Sequence, residues 1–465
     1  MSHHISVNDI AAARELRVDK TKVLLEKPGT ESAVLVTLNI PGNVKDIPLY
    51  RKIHKTAMAE IIKSFKWNRI VFLMEERIDL PAGSEGYLTV NSPDPSYIKK
   101  ITSEIEENHP LGRIFDIDVF KKPYEKVSSG RPLRKCFICG NDAFACSRSK
   151  AHPLPLLLDT IRMKAENYYR DYYSWKIAET ACRALITEAA ASPKPGLVDR
   201  YNNGAHRDMD FFSFIDSSAA LFRTYHNFAG ISYSASLSGQ KLPDMLDALK
   251  KEGIEGEKNM LRSSGGVNTQ KGLIFSLGLL VSAAAYLSAQ HGEKTTAGGI
   301  CAAAGNIISD NVKMHLFAIS EQENISKQDL TTGEKLFLSH GIKGARGEAA
   351  DGFKSAILGH KVLSADIAAG RDFNLSLIDA LMTIMEKTDD TNIPGRKDMN
   401  ALDYIKSEAA EYNRTGGVFN DRQLVRIRQM DMDFTERNLS PGGCADILAL
   451  SIFLFFIEKD PDLFG

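Results

Sequence analysis

A chain of 465 residues is longer than one hydrophobic core ordinarily organises, so two or more domains are expected. Its 58 lysines and arginines face 59 aspartates and glutamates, a formal net charge of −1, which excludes broad electrostatic attachment to nucleic acid or to an anionic membrane. The N-terminus MSHHISVNDI lacks the basic region, apolar core and small-residue cleavage site of a secretory signal, so a cytoplasmic protein is expected.

In chain order, SAVLVTLNI, NRIVFLMEERI, GYLTV and GRIFDIDVF read as strands rich in branched and aromatic residues. Between them, PLYRKIHKTAMAEIIKSFKW carries apolar residues at helical spacing, and DPSYIKKITSEIEENHP opens with Asp94 as cap and Pro95 at the first helical position. This alternation predicts a compact α+β or α/β domain. From about residue 153 the strand signals vanish, and YYSWKIAETACRALITEAA, DMDFFSFIDSSAALFRTYHNF, NLSLIDALMTIMEK and GCADILALSIFLFFIEKD read as helices of an all-α bundle. The stretch GLIFSLGLLVSAAAYLSAQ is long enough to cross a bilayer, but its serines, alanines and flanking lysines fit a helix buried among others, and no membrane association is expected. The change of period divides the chain into residues 1–170 and 171–465.

In the first half, the strand period of GRIFDIDVF places Ile114, Asp116, Asp118 and Phe120 on one face. Two carboxylates on neighbouring positions of one face suit a divalent metal held against a phosphate; the alternative is an edge strand facing water. Downstream, Arg131, Arg134 and Arg148 surround Cys136, Cys139, Cys146 and His152, a C-x2-C-x6-C-x5-H string. The C-x2-C pair has the spacing of zinc ligands, although the middle interval is shorter than in common fingers; reduced thiols under a basic loop are the other reading.

The helical half carries polar clusters at helix edges: SPKPGLVDRYNNGAHRDMD, GGVNTQKG, HGIKGARGEAADGF, DDTNIPGR and SPGGCADILA. Singly each has a structural explanation, with Asp208 capping a helix, or Asn268 and Thr269 capping the next. Converging on one rim, they would supply what polyphosphate and Mg²⁺ require. Asp199, Asp208, Asp210, Asp351 and Asp446 offer oxygen to a hard cation, while Lys194, Lys271 and Arg346 meet phosphate; Asn268 and Glu348 complete the candidate substrate contacts. Neither a Walker lysine loop nor a dinucleotide fingerprint appears in the sequence.

The succession PKPGLVD, NNGAHRDMD, GVNTQKGLIFSLGLL, GARGEAADGF and SPGGCADILAL resembles triphosphoribosyl-dephospho-CoA synthase across residues 180–455. The resemblance implies that the 2′-hydroxyl of 3′-dephospho-CoA attacks the ribose C1′ of ATP and expels adenine. A glycosidic bond breaking through an oxocarbenium-like state needs negative charge near the ribose and a proton for the departing base. His206 or a protonated carboxylate is the candidate acid, and Asp208 or Asp210 the base or Mg²⁺ ligand.

The first half resembles holo-citrate lyase synthase, the apo-citrate lyase phosphoribosyl-dephospho-CoA transferase. The carriers are RELRV, TLNIPGNVK, GYLTV, PLGRIFDIDVF and RKCFICGNDAFACSRSKAH, in order. RELRV departs from the family in its leucine, where a second acidic or polar residue is frequent. The resemblance implies transfer of the prosthetic group to a serine of the citrate lyase acyl carrier (γ) subunit with release of pyrophosphate, Asp116 and Asp118 holding Mg²⁺ and Arg131, Arg134 and Arg148 gripping the triphosphate. The product of the second half would be the substrate of the first. Two other readings are a carrier of the malonate decarboxylase type, and a helical half that binds adenine nucleotide without turnover.

Overall fold

The computed structural model describes residues 5–128, 130, 134–290, 295–321, 330, 332–417 and 421–464. The chain divides into two compact units, Met1–Tyr169 and Arg170–Gly465.

The first unit contains α1 (Val7–Glu26), β1 (Ser32–Leu38), α2 (Pro48–Trp67), β2 (Phe72–Ile78), β3 (Glu85–Val90), α3 (Pro95–Asn108), β4 (Phe115–Lys121), β5 (Glu125–Lys126) and α4 (Ala143–Arg148). The start of α5 (Leu154–Ala190) also belongs to it. The strands form one sheet in the order β2-β3-β1-β4-β5, and every pairing is antiparallel. The unit is therefore α+β, not α/β: alternation of strands and helices along the chain did not bring parallel crossovers with it. Ile114, placed on the strand from its period, lies instead in a single turn of 3₁₀ helix, Gly112–Ile114, that precedes β4.

Helix α2 buries Ile53, Ala57, Ile61 and Phe65, each four residues from the last, against the sheet. Asp94 caps α3 as its sequence requires, accepting from the Ser96 and Tyr97 amides at 3.0 and 3.1 Å. Arg17, from RELRV, forms a 2.7 Å ion pair with the buried Glu85, so it anchors α1 to β3.

The second unit is helical throughout its described residues: the remainder of α5, then α6 (Phe211–Leu237), α7 (Leu246–Ser263), α8 (Lys271–Ala289), α9 (Ala297–Glu321), α10 (Thr332–His340), α11 (Gly344–Ala350), α12 (Lys354–Ala368), α13 (Phe373–Lys387), α14 (Asn392–Arg396), α15 (Met399–Arg414), α16 (Asp421–Glu436), α17 (Gly442–Lys459) and α18 (Pro461–Phe464). Its centre is formed by α8 and α17, which touch each other; α6, α7 and α9 pack around the first, α12 and α13 around the second. Of the apolar window in α8, 78% is buried within the protein, which accounts for its hydropathy as that of a core helix.

Candidate active sites

In the first unit the site is built at an open sheet edge. Strand β5 covers only the end of β4, pairing with Phe120 and Lys121. Further back, the outward peptide groups of Ile117 have no strand partner, and side chains of α3 take them instead: Glu106 accepts from the Ile117 amide at 3.1 Å, and Lys99 donates to its carbonyl at 2.6 Å. Along the same stretch Phe115, Ile117 and Val119 are buried, while Asp116 and Asp118 alternate to the half-exposed face. Opposite them on β1 stand Thr37 and Leu35.

The aspartates border a cleft of about 800 Å³ that Lys99, Glu106, Arg113, Lys126, Arg134 and Lys164 also line. Each carboxylate already faces a cation, Asp116 with Arg134 at 2.8 Å and Asp118 with Lys126 at 2.7 Å. Arg134 reaches Glu106 as well, at 2.7 Å. Burial pushes the Glu106 carboxyl up and the Lys99 ammonium down, each disfavouring its charged form. The arrangement sets hard oxygen donors beside a basic wall, a fit to a divalent cation with an attached polyphosphate.

Arg148 is exposed at the end of α4 and is not part of the cleft lining, and Arg131 lies outside the described residues. Cys136, Cys139, Cys146 and His152 gather so that their ligand atoms all lie within 4.8 Å of one another. Lys99, Glu106, Arg113 and Lys126 escaped the sequence reading. For the first two a signal existed, since a lysine and a glutamate two turns apart on α3 flank the buried stripe Ile98, Ile101 and Ile105.

In the second unit the loop of residues 191–210 folds on itself around buried charge. Lys194 donates from Nζ to the Glu188 carboxylate and, at 2.8 Å, to the Glu188 carbonyl. Both side chains are almost wholly buried, 2% and 3% exposed. Asp199 accepts from the amides of Lys194, Tyr201 and Asn202, and Asp431 from the Gly196 amide and the Asn202 side chain. Gly196 has φ +71°, and a Cβ there would lie 2.1 Å from the Leu439 carbonyl oxygen, so only glycine fits. Lys194 and Asp199 thus brace the loop. Lys194→Met, which leaves Glu188 as an uncompensated buried charge, is expected to destabilise the helical unit by about 3–5 kcal/mol, read from its unfolding transition in denaturant.

Asp446, near the start of α17, is half-buried and stands against the start of α8, where a Cβ on Gly272 would lie 2.5 Å from its Oδ2. Burial pushes its carboxyl well above the usual aspartate value, and the charges of Glu188 and Asp390 add to the effect. Asp390 accepts from the amides of Asn392 and Cys444, at 2.9 and 3.1 Å; burial raises it too. A Cβ on Gly443 would meet Asp390 at 2.5 Å, and one on Gly344 would meet the Thr391 side chain at 3.4 Å. His206 contacts the Ser440 hydroxyl at 2.8 Å. Close approaches therefore link the polar clusters, through Gly272, Thr391, Asp390 and Ser440.

Of the other candidates, Asp208 is exposed, and Asp210, not Asp208, caps α6, accepting from the Ser213 amide at 2.8 Å. Asn268 accepts from the Lys271 amide, and Lys271 pairs with Glu257. Arg346 is exposed, Asp351 pairs with Lys343 at 3.2 Å, and Glu348, raised by burial, accepts from the Ser355 amide at 2.6 Å. Glu188, Asp390 and Asp431 were not among the candidates. Glu188 had a signal: a lone acid in the apolar run RALITEAAA.

Residues 174–463 match the family described as ATP:dephospho-CoA triphosphoribosyl transferase, and residues 5–168 the family described as apo-citrate lyase phosphoribosyl-dephospho-CoA transferase. The chain is a transferase with two catalytic segments. Protein CitXG of Leuconostoc mesenteroides subsp. cremoris is 32% identical over 452 residues, 95% of each chain, and Protein CitXG of Haemophilus influenzae 31% identical over 458 residues, 97% of this chain and 96% of that one. A probable 2-(5''-triphosphoribosyl)-3'-dephosphocoenzyme-A synthase of Citrobacter koseri is 39% identical over 282 residues, 60% of this chain and 89% of its own length. This chain belongs to the CitXG family, in which the two transferase segments are fused.

Proposed function

We infer that this protein makes and attaches the citrate lyase prosthetic group. In the helical unit the 2′-oxygen of 3′-dephospho-CoA bonds to C1′ of the ATP ribose as the bond to adenine breaks. The hydroxyl proton passes to a base and adenine takes up a proton. In the α+β unit a serine hydroxyl of the apo-citrate lyase acyl carrier protein attacks the α-phosphorus of the triphosphate, and pyrophosphate leaves. The single observation that carries this reading is the fusion itself, since the product of residues 174–463 is what residues 5–168 would consume.

The roles follow from the sites. Asp116 and Asp118 would hold Mg²⁺, which when bound neutralises the developing charge on the leaving pyrophosphate. Arg134, Lys126, Lys99 and Arg113 receive the triphosphate, and the nucleotidyltransferase-like character of the unit rests on this cleft. In the helical unit Asp446, whose carboxyl burial raises above the usual aspartate value, is the donor to the departing adenine. His206, braced by Ser440, orients its loop, and the exposed Asp208 carboxylate stands 3.9 Å from this histidine.

The test uses the full chain, in a cytoplasm-like buffer with ATP, 3′-dephospho-CoA and Mg²⁺. Free adenine and a triphosphoribosyl mass gain on the coenzyme are expected; adding the apo carrier should then yield pyrophosphate and the corresponding mass gain on a serine. Folded protein that releases no adenine would overturn the first step, and adenine release without carrier modification would overturn the second.

A further inference from the structure

The segment from Arg134 to His152 folds tightly without a core. The chain turns back at Gly140, whose φ is +71°; the Cys136 amide donates to the Asn141 carbonyl at 2.7 Å, and the Ala143 amide to the Arg134 carbonyl at 2.8 Å. Helix α4 follows, capped by Asp142 through the Ala145 amide at 2.7 Å, and the Ala151 amide returns to the Cys146 carbonyl at 3.0 Å. Yet no residue of this segment is buried, and Phe144 is 69% exposed. Backbone hydrogen bonds open to water do not by themselves fix so short a piece of chain. A cross-link would.

The cross-link is not a disulfide, because all the cysteines are free, and the sulfurs of Cys139 and Cys146 are 3.5 Å apart. The His152 Nε2 lies 3.3 Å from the Cys139 sulfur. Tetrahedral zinc, with sulfur at ~2.3 Å and nitrogen at ~2.0–2.1 Å, places neighbouring ligand atoms about 3.5–3.8 Å apart. The four ligand atoms, all within 4.8 Å of one another, close around such a centre with little adjustment. The C-x2-C turn supplies two of them, α4 the third and the residue after its return the fourth.

The same segment is fastened to the transferase cleft. Arg134 pairs with Asp116 and Glu106, Arg113 donates from Nε to the Lys135 carbonyl at 2.7 Å, and the Arg113 guanidinium stacks 4.3 Å over the Phe137 ring. The three segment residues that make these contacts, Arg134, Lys135 and Phe137, all lie within two residues of Cys136. We propose that Cys136, Cys139, Cys146 and His152 hold a structural zinc ion whose task is to fix Arg134 and Arg113 on the wall of the α+β cleft. Four protein ligands leave no open position, so the zinc takes no part in the chemistry. The zinc site stands on its own geometry; its consequence for transfer rests on the function proposed above.

The full chain, purified without chelator, is expected to carry about one zinc per molecule. Zinc removed with a thiol reagent and replaced by cobalt(II) should give the thiolate-to-cobalt absorption of a tetrahedral sulfur site. In Cys139→Ser and in stripped wild-type protein, amide exchange across residues 134–152 should quicken and carrier modification should fall at least about tenfold, the loss typical when groups that orient a site are removed, with adenine release unchanged. Zinc restored to the stripped wild type should recover both. Folded, adenine-releasing protein with neither zinc nor a cobalt–thiolate band, or with iron in place of zinc, would overturn the site. Zinc loss that leaves exchange and transfer unchanged would overturn the positioning role, whereas zinc-loaded wild type unable to modify the carrier would overturn the transfer reading and leave the metal site standing.

Discussion

Asp116→Asn is expected to lower carrier modification by about 10²–10³-fold while adenine release continues at the wild-type rate. Asparagine keeps the volume and an acceptor for Arg134 but removes the charge that a divalent cation needs, and it leaves the basic wall of the cleft with one carboxylate fewer. The change lies on a half-exposed position of β4, away from the buried side chains Phe115, Ile117 and Val119, so the sheet should form normally. Adenine release provides an internal measure of folded protein. Mass spectrometry of the carrier checks the outcome, and near-wild-type modification by the variant would remove Asp116 from the reaction.

Asp446→Asn should reverse the pattern: adenine release falls by about 10²–10⁴-fold, the usual contribution of a positioned proton donor, and pre-formed triphosphoribosyl-dephospho-CoA is still transferred. The variant should also alter stability in a defined direction. A carboxyl whose folded pKa is raised above its unfolded value of about 3.8 contributes stability that is full below that value and is lost as pH rises through the folded pKa. Asparagine has no such dependence. The variant should therefore melt at or above the wild-type temperature at pH 8 and lose any advantage at pH 4. A variant that turns over normally, or is less stable than wild type at alkaline pH, would refute the protonated-acid role.

What the sequence disclosed follows from the range of the forces involved. Helix α2 was legible because its apolar residues repeat at helical spacing, and Asp94 with Pro95 marked the start of α3. Helix α1 went unread because it mixes alanines with charges and shows no sustained apolar stripe, and β5 because two residues carry no period. The carboxylate pair of β4 was visible through its alternation, but its partners Arg134, Lys126 and Glu106 come together only through tertiary folding. The cap at Asp210 was readable from the serine three residues on, which forms a capping box. The acids of the helical unit differ: Glu188 lies at the end of α5, just before the loop it braces, and stands out as a lone acid in an apolar run, whereas Asp431 lies on α16, 235 residues from Gly196, and one chain read alone has no local mark for that convergence.

The short reach of β5 has a consequence beyond catalysis. An uncovered strand is a template on which another chain can add, and β4 at Ile117 would present such a template if its peptide groups were unoccupied. Lys99 and Glu106 occupy them, and charged side chains flank the gap on both sides. The groups that would grip a triphosphate thus also guard the molecule against edge-to-edge self-association, so neutralising them to weaken substrate binding would at the same time invite aggregation.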